Sequence, residues 1–253
     1  MFATYLQRGV AAGLVAGLGY AVYMIFVGNP LTEYVHDAGH AHDHGHGHGH
    51  DHGGHAHEHA HAVSETTTAI VSAGSAVLWA IFLGGLFAVA LYLFEPALPG
   101  PEAIKPYVLA AAGFLTVSAV PWLVLPPAAP GAEHAYGIDV RLGLYVGLVA
   151  FGAITAITAV FAYNRSRQRG LGFVLSASVV PILAVVGLLA LAAPTVTTHP
   201  DLSTDLVTAY QGLAVLSQAA LWLLIAAAFV GLRRRGRNHS ESVSQQSVGA
   251  LSD

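Results

Sequence analysis

The sequence predicts an all-α integral membrane protein with six transmembrane helices, both termini cytoplasmic, and a long disordered His-rich outer loop. Three observations predict it. First, charge is scarce: Asp, Glu, Lys and Arg make up 9% of the 253 residues, hydrophobic residues make up 55%, and mean hydropathy is +0.60. A soluble domain carries about 25% charged residues and needs them to cover its surface. Second, six stretches contain no Asp, Glu, Lys, Arg or His: 9–32, 66–94, 106–132, 142–164, 170–198 and 206–232. Each exceeds the roughly 20 residues a helix needs to cross about 30 Å of hydrocarbon. They are apolar all round, whereas helices of soluble bundles keep a polar stripe. Third, with the N-terminus in the cytoplasm, Arg8, Lys105, Arg165, Arg167, Arg169, Arg233, Arg234, Arg235 and Arg237 fall on the inner side, and only Arg141 falls outside. An excess of Lys and Arg marks cytoplasmic segments. An odd number of spans would put a basic cluster on the wrong side.

Residues 1–35 are the first helix and its exit corner. The apolar run after Arg8 is longer than a signal-peptide core, and no small-x-small cleavage site follows closely, so it reads as an uncleaved span. Gly9, Gly13 and Gly17 recur on one helix face, a spacing that lets a neighbouring helix approach closely. Gly84, Gly85, Gly143 and Gly147 read the same way. Gly28-Asn29-Pro30-Leu31-Thr32-Glu33 is expected to end the span.

Residues 36–65 form the His-rich loop. Twelve of the 26 residues from 36 to 61 are histidine: His36, His40, His42, His44, His46, His48, His50, His52, His55, His57, His59 and His61. The Gly, Ala and acidic residues between them cannot make a packed core. They can gather imidazoles around a metal ion, with Asp43, Asp51 and Glu58 adding oxygen ligands. Binding should weaken below about pH 6 as the imidazoles protonate. The alternative is a disordered loop that binds metal adventitiously.

Residues 66–232 hold five further spans. Phe94-Glu95-Pro96 ends the second, Pro121-Trp122 interrupts the third, and that span runs into Leu125-Pro126-Pro127-Ala128-Ala129-Pro130. Pro181 lies in the fifth. Proline frees a backbone carbonyl, and broken helices line substrate paths in transporters. More commonly a proline only kinks or ends a helix. Residues 233–253 begin with four arginines suited to the inner lipid surface and continue as a polar tail, read as disordered.

Several function classes drop out. No cysteine is present, which removes disulfides and thiol chemistry. A net charge of −4 gives no reason to expect a nucleic-acid partner. There is no GxxxxGK[ST] phosphate loop, no nucleophile–base pair and no rigid metal triad, so no catalytic residues are assigned and an enzyme is not expected. Ionisable residues deep in a span default to function, but Glu33, Glu95, His134 and Arg141 all sit at span ends. Asn29, Gln211 and Gln218 are the remaining polar candidates. No complete ligand path can be assembled from this chain alone.

Three short motifs carry a family resemblance. They are Asn29-Pro30-Leu31-x-Glu33 after the Gly-rich first span; Ala112-Gly113-Phe114 leading to Pro121-Trp122-Leu123 and Pro126-Pro127-x-x-Pro130; and Arg141 followed by Tyr145. In this order they resemble the CbtA family of predicted cobalt transporter subunits, over most of residues 1–232. The resemblance implies cobalamin-related cobalt uptake and a small single-span partner, CbtB-like, with its own His-rich end. It marks Pro121, Pro126, Pro127, Pro130 and Arg141 as recurrent positions. The family is usually described with about five spans, and the His-rich loop is an insertion beyond its pattern.

The resulting expectation is a multi-pass subunit of the plasma (cytoplasmic) membrane, in contact with lipid, that takes up a divalent transition metal. Cobalt is the first candidate cargo, with Ni or Zn as others, and no cofactor is bound permanently. The outer loop would capture metal. Asn29, Glu33, Pro121, Pro126, Pro127, His134 and Arg141 would form the path or its mouth. The alternatives are a non-transporting metal buffer, sensor or assembly subunit, and a Zn, Ni or Cu exporter.

Overall fold

A computed structural model describes residues 2–41, 65–192 and 196–249. Helix α1 (Phe2–Tyr23) passes through a π-helical turn, Met24–Gly28, into α2 (Asn29–Ala41). Helix α3 spans Glu65–Phe94. Helix α4 (Lys105–Phe114) passes through a second π turn, Leu115–Ala119, into the short α5 (Val120–Trp122). Strand β1 (Glu133–His134), α6 (Ile138–Ser166), α7 (Leu171–Ala192), β2 (Thr197–Thr198) and α8 (Thr204–Gly249) follow.

Five helices are long and apolar enough to cross a membrane: Phe2–Gly39, Ala69–Phe94, Ile138–Ser166, Gly172–Leu191 and Thr204–Arg237. Large apolar side chains on them face outward, among them Leu78, Ile157, Phe161 and Leu191. Such continuous apolar exposure suits lipid and not water. The chain is therefore an all-α, multi-pass membrane protein. The third apolar stretch forms a shorter helix, Lys105–Trp122, and leaves helical structure at the proline-rich segment.

Both π turns end two residues before a proline. The Asn29 N–H bonds the Met24 carbonyl before Pro30, and the Val120 N–H bonds the Leu115 carbonyl before Pro121. Proline has no N–H, and its ring crowds the carbonyl four residues back. A locally wider turn absorbs that crowding and lets the helix continue. The exit corner expected at residues 28–33 is thus not a corner: the helix runs through Pro30 to Ala41. At about 1.5 Å per residue, Phe2–Gly39 is nearly twice the hydrocarbon thickness, so α2 stands clear of it. The expected disordered tail is likewise helical as far as Gly249. It contains no proline and extends a helix already formed, which is the inexpensive step in helix growth.

The tightest packing joins α1 to α3. A Cβ at Gly13 would lie 2.8 Å from the Ile81 Cα, and one at Gly17 would lie 2.9 Å from the Ala80 Cβ. From the other side, a Cβ at Gly84 would lie 2.7 Å from the Gly13 Cα. Helix α8 closes this pair with Leu221, Ile225 and Phe229, all fully buried. The ring of its Trp222 lies against Gly113 of α4, and Gly152 of α6 lies against Thr116 of the second π turn. Gly143 and Gly147, expected to pack, face open space; Gly113 and Gly152 make the close approaches instead. Helix α7 packs chiefly on α6 and is otherwise bare.

Gly84→Leu is expected to destabilise the protein by at least about 1–3 kcal/mol, because the obstacle is backbone that cannot move aside. Gly143→Leu should be neutral. Thermal melting of both variants in detergent checks this.

Candidate functional site

The helix ends gather into two polar clusters, one at each end of the bundle. At the first, Arg233 Nη1 bonds Glu95 Oε1 at 2.9 Å and Arg233 Nη2 bonds Glu102 Oε2 at 3.2 Å. Arg237 reaches the same Glu102 oxygen at 3.4 Å. The Tyr5 hydroxyl donates to Glu95 Oε2, and the Arg233 guanidinium lies over the Tyr5 ring. Burial alone would raise the Glu95 carboxyl. The Tyr5 hydroxyl and Arg233 outweigh it and hold the group below the ordinary carboxylate range. This cluster ties the start of α1 and the end of α3 to the part of α8 around Arg233. Its charges satisfy one another, so it reads as a structural clamp.

The opposite end carries a cavity of about 300 Å³. Trp122, Leu125 and Pro126 form one wall, Ile138, Leu142, Tyr145 and Arg141 a second, and His134 and Thr197 the rim. Two features of the sequence build it. Pro121 cannot donate to the Val117 carbonyl, four residues back. The Tyr145 hydroxyl donates to that carbonyl instead, at 3.1 Å, and pins α6 to the second π turn. The proline-rich segment then crosses the bundle end without helix. It is held by the antiparallel β1–β2 pair, with His134 opposite Thr197, and by the Ala129 N–H, which donates to His199 Nε2 at 3.1 Å.

The expected site residues divide sharply. Pro126, His134 and Arg141 line one cavity, beside half-buried Pro127, and buried Pro121 shapes its wall. Glu33 does not join them; it stays exposed on α2 and lines no part of the cavity, because the helix continues where a corner was expected. Asn29 is engaged in packing and donates to Ser72 Oγ at 2.8 Å. His36 is exposed, with Nδ1 3.8 Å from Asp37, and His40 lies near the end of α2. His42, His44, His46, His48, His50, His52, His55, His57, His59, His61, Asp43, Asp51 and Glu58 lie outside the described residues. Among the described residues no three His, Cys, Asp or Glu side chains converge as a metal site.

His199 is the residue that sequence reasoning passed over. Burial, and then the neighbouring charge of His134, lower its pKa and favour the neutral ring. Accepting the Ala129 N–H requires an unprotonated Nε2, which puts the proton of the neutral ring on Nδ1. In this state His199 offers no free lone pair to a metal, and the other imidazole at the cavity is His134, whose Nδ1 lies 3.4 Å from Thr197 Oγ1. The only signal in the sequence was that His134 and His199 follow spans expected to end on the same side.

Residues 2–234 match the family described as "Probable cobalt transporter subunit (CbtA)", nearly the whole chain. No curated protein and no solved structure matches it.

Tyr145→Phe removes the hydroxyl that bonds the Val117 carbonyl beside the cavity. The expected loss is about 1 kcal/mol of stability. Amide hydrogen exchange should rise around residues 117–122 more than in α1 or α3, as mass spectrometry would show.

Proposed function

The chain belongs to the CbtA family, and on that premise we propose that it is the six-span subunit of a cobalt uptake system in the plasma membrane. The family match makes it a transporter subunit in the membrane with a metal cargo. The remaining detail rests on the following support.

The helical segments alternate in direction between the two polar clusters. Tyr5, Glu95 and Arg233 meet at one end, where Asn164 near the end of α6 also bonds the Ala97 carbonyl at 2.9 Å. Asn29 and Ser72 lie toward the other end of their helices, and His134 and Thr197 lie on the strand pair at that end. Lys105–Trp122 makes the third of six passes, as a short span buried against α8 and α6. The excess of basic residues assigns the clamp end to the cytoplasm and the cavity end to the outside.

The observation that carries the capture reading is the position of α2. Gly39, near its end, lies against Leu202, in the loop that carries His199. Helix α2, which carries His36 and His40, therefore ends on the cavity side. Metal held there would be delivered close to the cavity, as a local concentration of ion and not by a fixed route. A small single-span subunit of the CbtB kind, with a His-rich end, would supply ligands that the spans of this chain lack.

The test is radiolabelled Co²⁺ accumulation in cells expressing the chain with its small partner. Deletion of 36–61 should cut uptake several-fold at limiting Co²⁺ and leave it unchanged at saturating Co²⁺. Equal loss at both concentrations contradicts capture. No uptake at all, with tight Ni²⁺ or Zn²⁺ binding to the purified chain, would favour a buffer or sensor.

A further inference from the structure

The cavity lining holds one cation and no acid, and that sits poorly with a bare divalent cation. Its one fixed charge is Arg141. Among the described residues, no carboxylate or other acceptor lies at ion-pair or hydrogen-bond distance from that guanidinium. None of the lining residues is acidic. Glu133 and Asp139 are close in sequence, but both are exposed and neither lines the cavity. Arg141 also sits near the start of α6, where no side chain caps the end and the positive end of the helix dipole is partly offset by exposed Asp139 in the same turn. Of the two histidines, His134 has its Nδ1 3.4 Å from Thr197 Oγ1, and His199 is committed to Ala129. A site for a divalent cation needs several imidazoles or carboxylates. Here one imidazole shares the lining with a guanidinium.

The same residues suit an organic anion. A guanidinium binds a carboxylate through two parallel hydrogen bonds. Thr197 and His134 supply further polar contacts at the rim, and Trp122, Leu125, Pro126 and Leu142 supply apolar wall for a carbon skeleton. Inorganic phosphate would gain nothing from that wall. The volume, about 300 Å³, is at the low end of small-molecule pockets.

We propose that this cavity is a binding site for a small organic carboxylate, anchored on Arg141, either free or as the ligand shell of a metal chelate. The inference deepens the uptake reading and depends on it only for meaning: cargo would reach this site as a carboxylate complex instead of a naked ion.

The experiment is isothermal titration of the full chain, purified in an uncharged detergent, with four probes: citrate, the Co²⁺–citrate complex, inorganic phosphate, and Co²⁺ alone. Citrate and its Co²⁺ complex should bind, and Arg141→Gln should weaken both at least tenfold. Arg141→Lys keeps the charge but loses the fork, and should recover only part of the affinity. Deletion of 36–61 should abolish most Co²⁺ binding and leave citrate binding intact. Thermal melting verifies that each variant is folded; should Arg141→Gln fail to fold, the lysine variant and Trp122→Ala carry the test. No citrate binding, or citrate binding indifferent to Arg141, overturns the proposal. Phosphate binding as tight as citrate, with the same dependence on Arg141, also overturns it and assigns the arginine to a lipid headgroup. Citrate binding without cellular Co²⁺ uptake would sink the uptake reading and leave the site; uptake without citrate binding would do the reverse.

Discussion

Everything else in the bundle depends on how closely α1 and α3 approach. In lipid, apolar side chains gain nothing by leaving the solvent, so helices associate through close packing and the few polar contacts available. Gly9, Gly13 and Gly17 on one side, with Ala80, Gly84 and Ala88 on the other, let the two backbones touch. The fully buried face of α8, with Leu221, Ile225 and Phe229, then fits over the seam. The Glu95–Arg233 pair and the Tyr5 hydroxyl lock the same three helices at one end. This rigid half leaves α4 to carry α6, and α6 to carry α7.

Proline chemistry converts that scaffold into a site. Two helices meet a proline directly after a π turn, with different outcomes. At Pro30 the helix continues and projects beyond the bundle. At Pro121 it ends within a turn, because more prolines follow at 126, 127 and 130 and none can donate to a helix ladder. The freed Val117 carbonyl recruits Tyr145, and the irregular segment needs outside anchors, which β2 and His199 provide. The cavity is the space those anchors enclose. Its polar groups come from β1, β2 and the start of α6, while its position comes from one proline.

Local signals were legible, and distant pairings were not. Apolar runs located the crossing helices because lipid demands them. The glycine spacing in the first helix located a packing face, and Pro126, His134 and Arg141 line one cavity. Gly143 and Gly147 show the limit of the glycine argument: small residues permit a close approach without requiring one, and these two face outward. Pro30 was read as a terminator because a sequence shows the missing donor but not the wider turn that accommodates it. Glu33 left the site for that reason. Glu95 and Arg233 are 138 residues apart, and nothing local to either announces the other. His199 was hidden similarly, since its role is to hold Ala129, 70 residues away.

The account stands on one orientation: the cavity and the base of the His-rich segment face outward, and the Glu95–Arg233 clamp faces the cytoplasm. The chain has no native cysteine, so single cysteines report orientation without background. Thr198→Cys, exposed beside the cavity, and Gln168→Cys, exposed between α6 and α7, are the two positions to compare. In intact cells a membrane-impermeant maleimide should label the first and should reach the second only after permeabilisation. Labelling of Gln168→Cys in intact cells, with Thr198→Cys protected, would place the cavity inside and contradict the account.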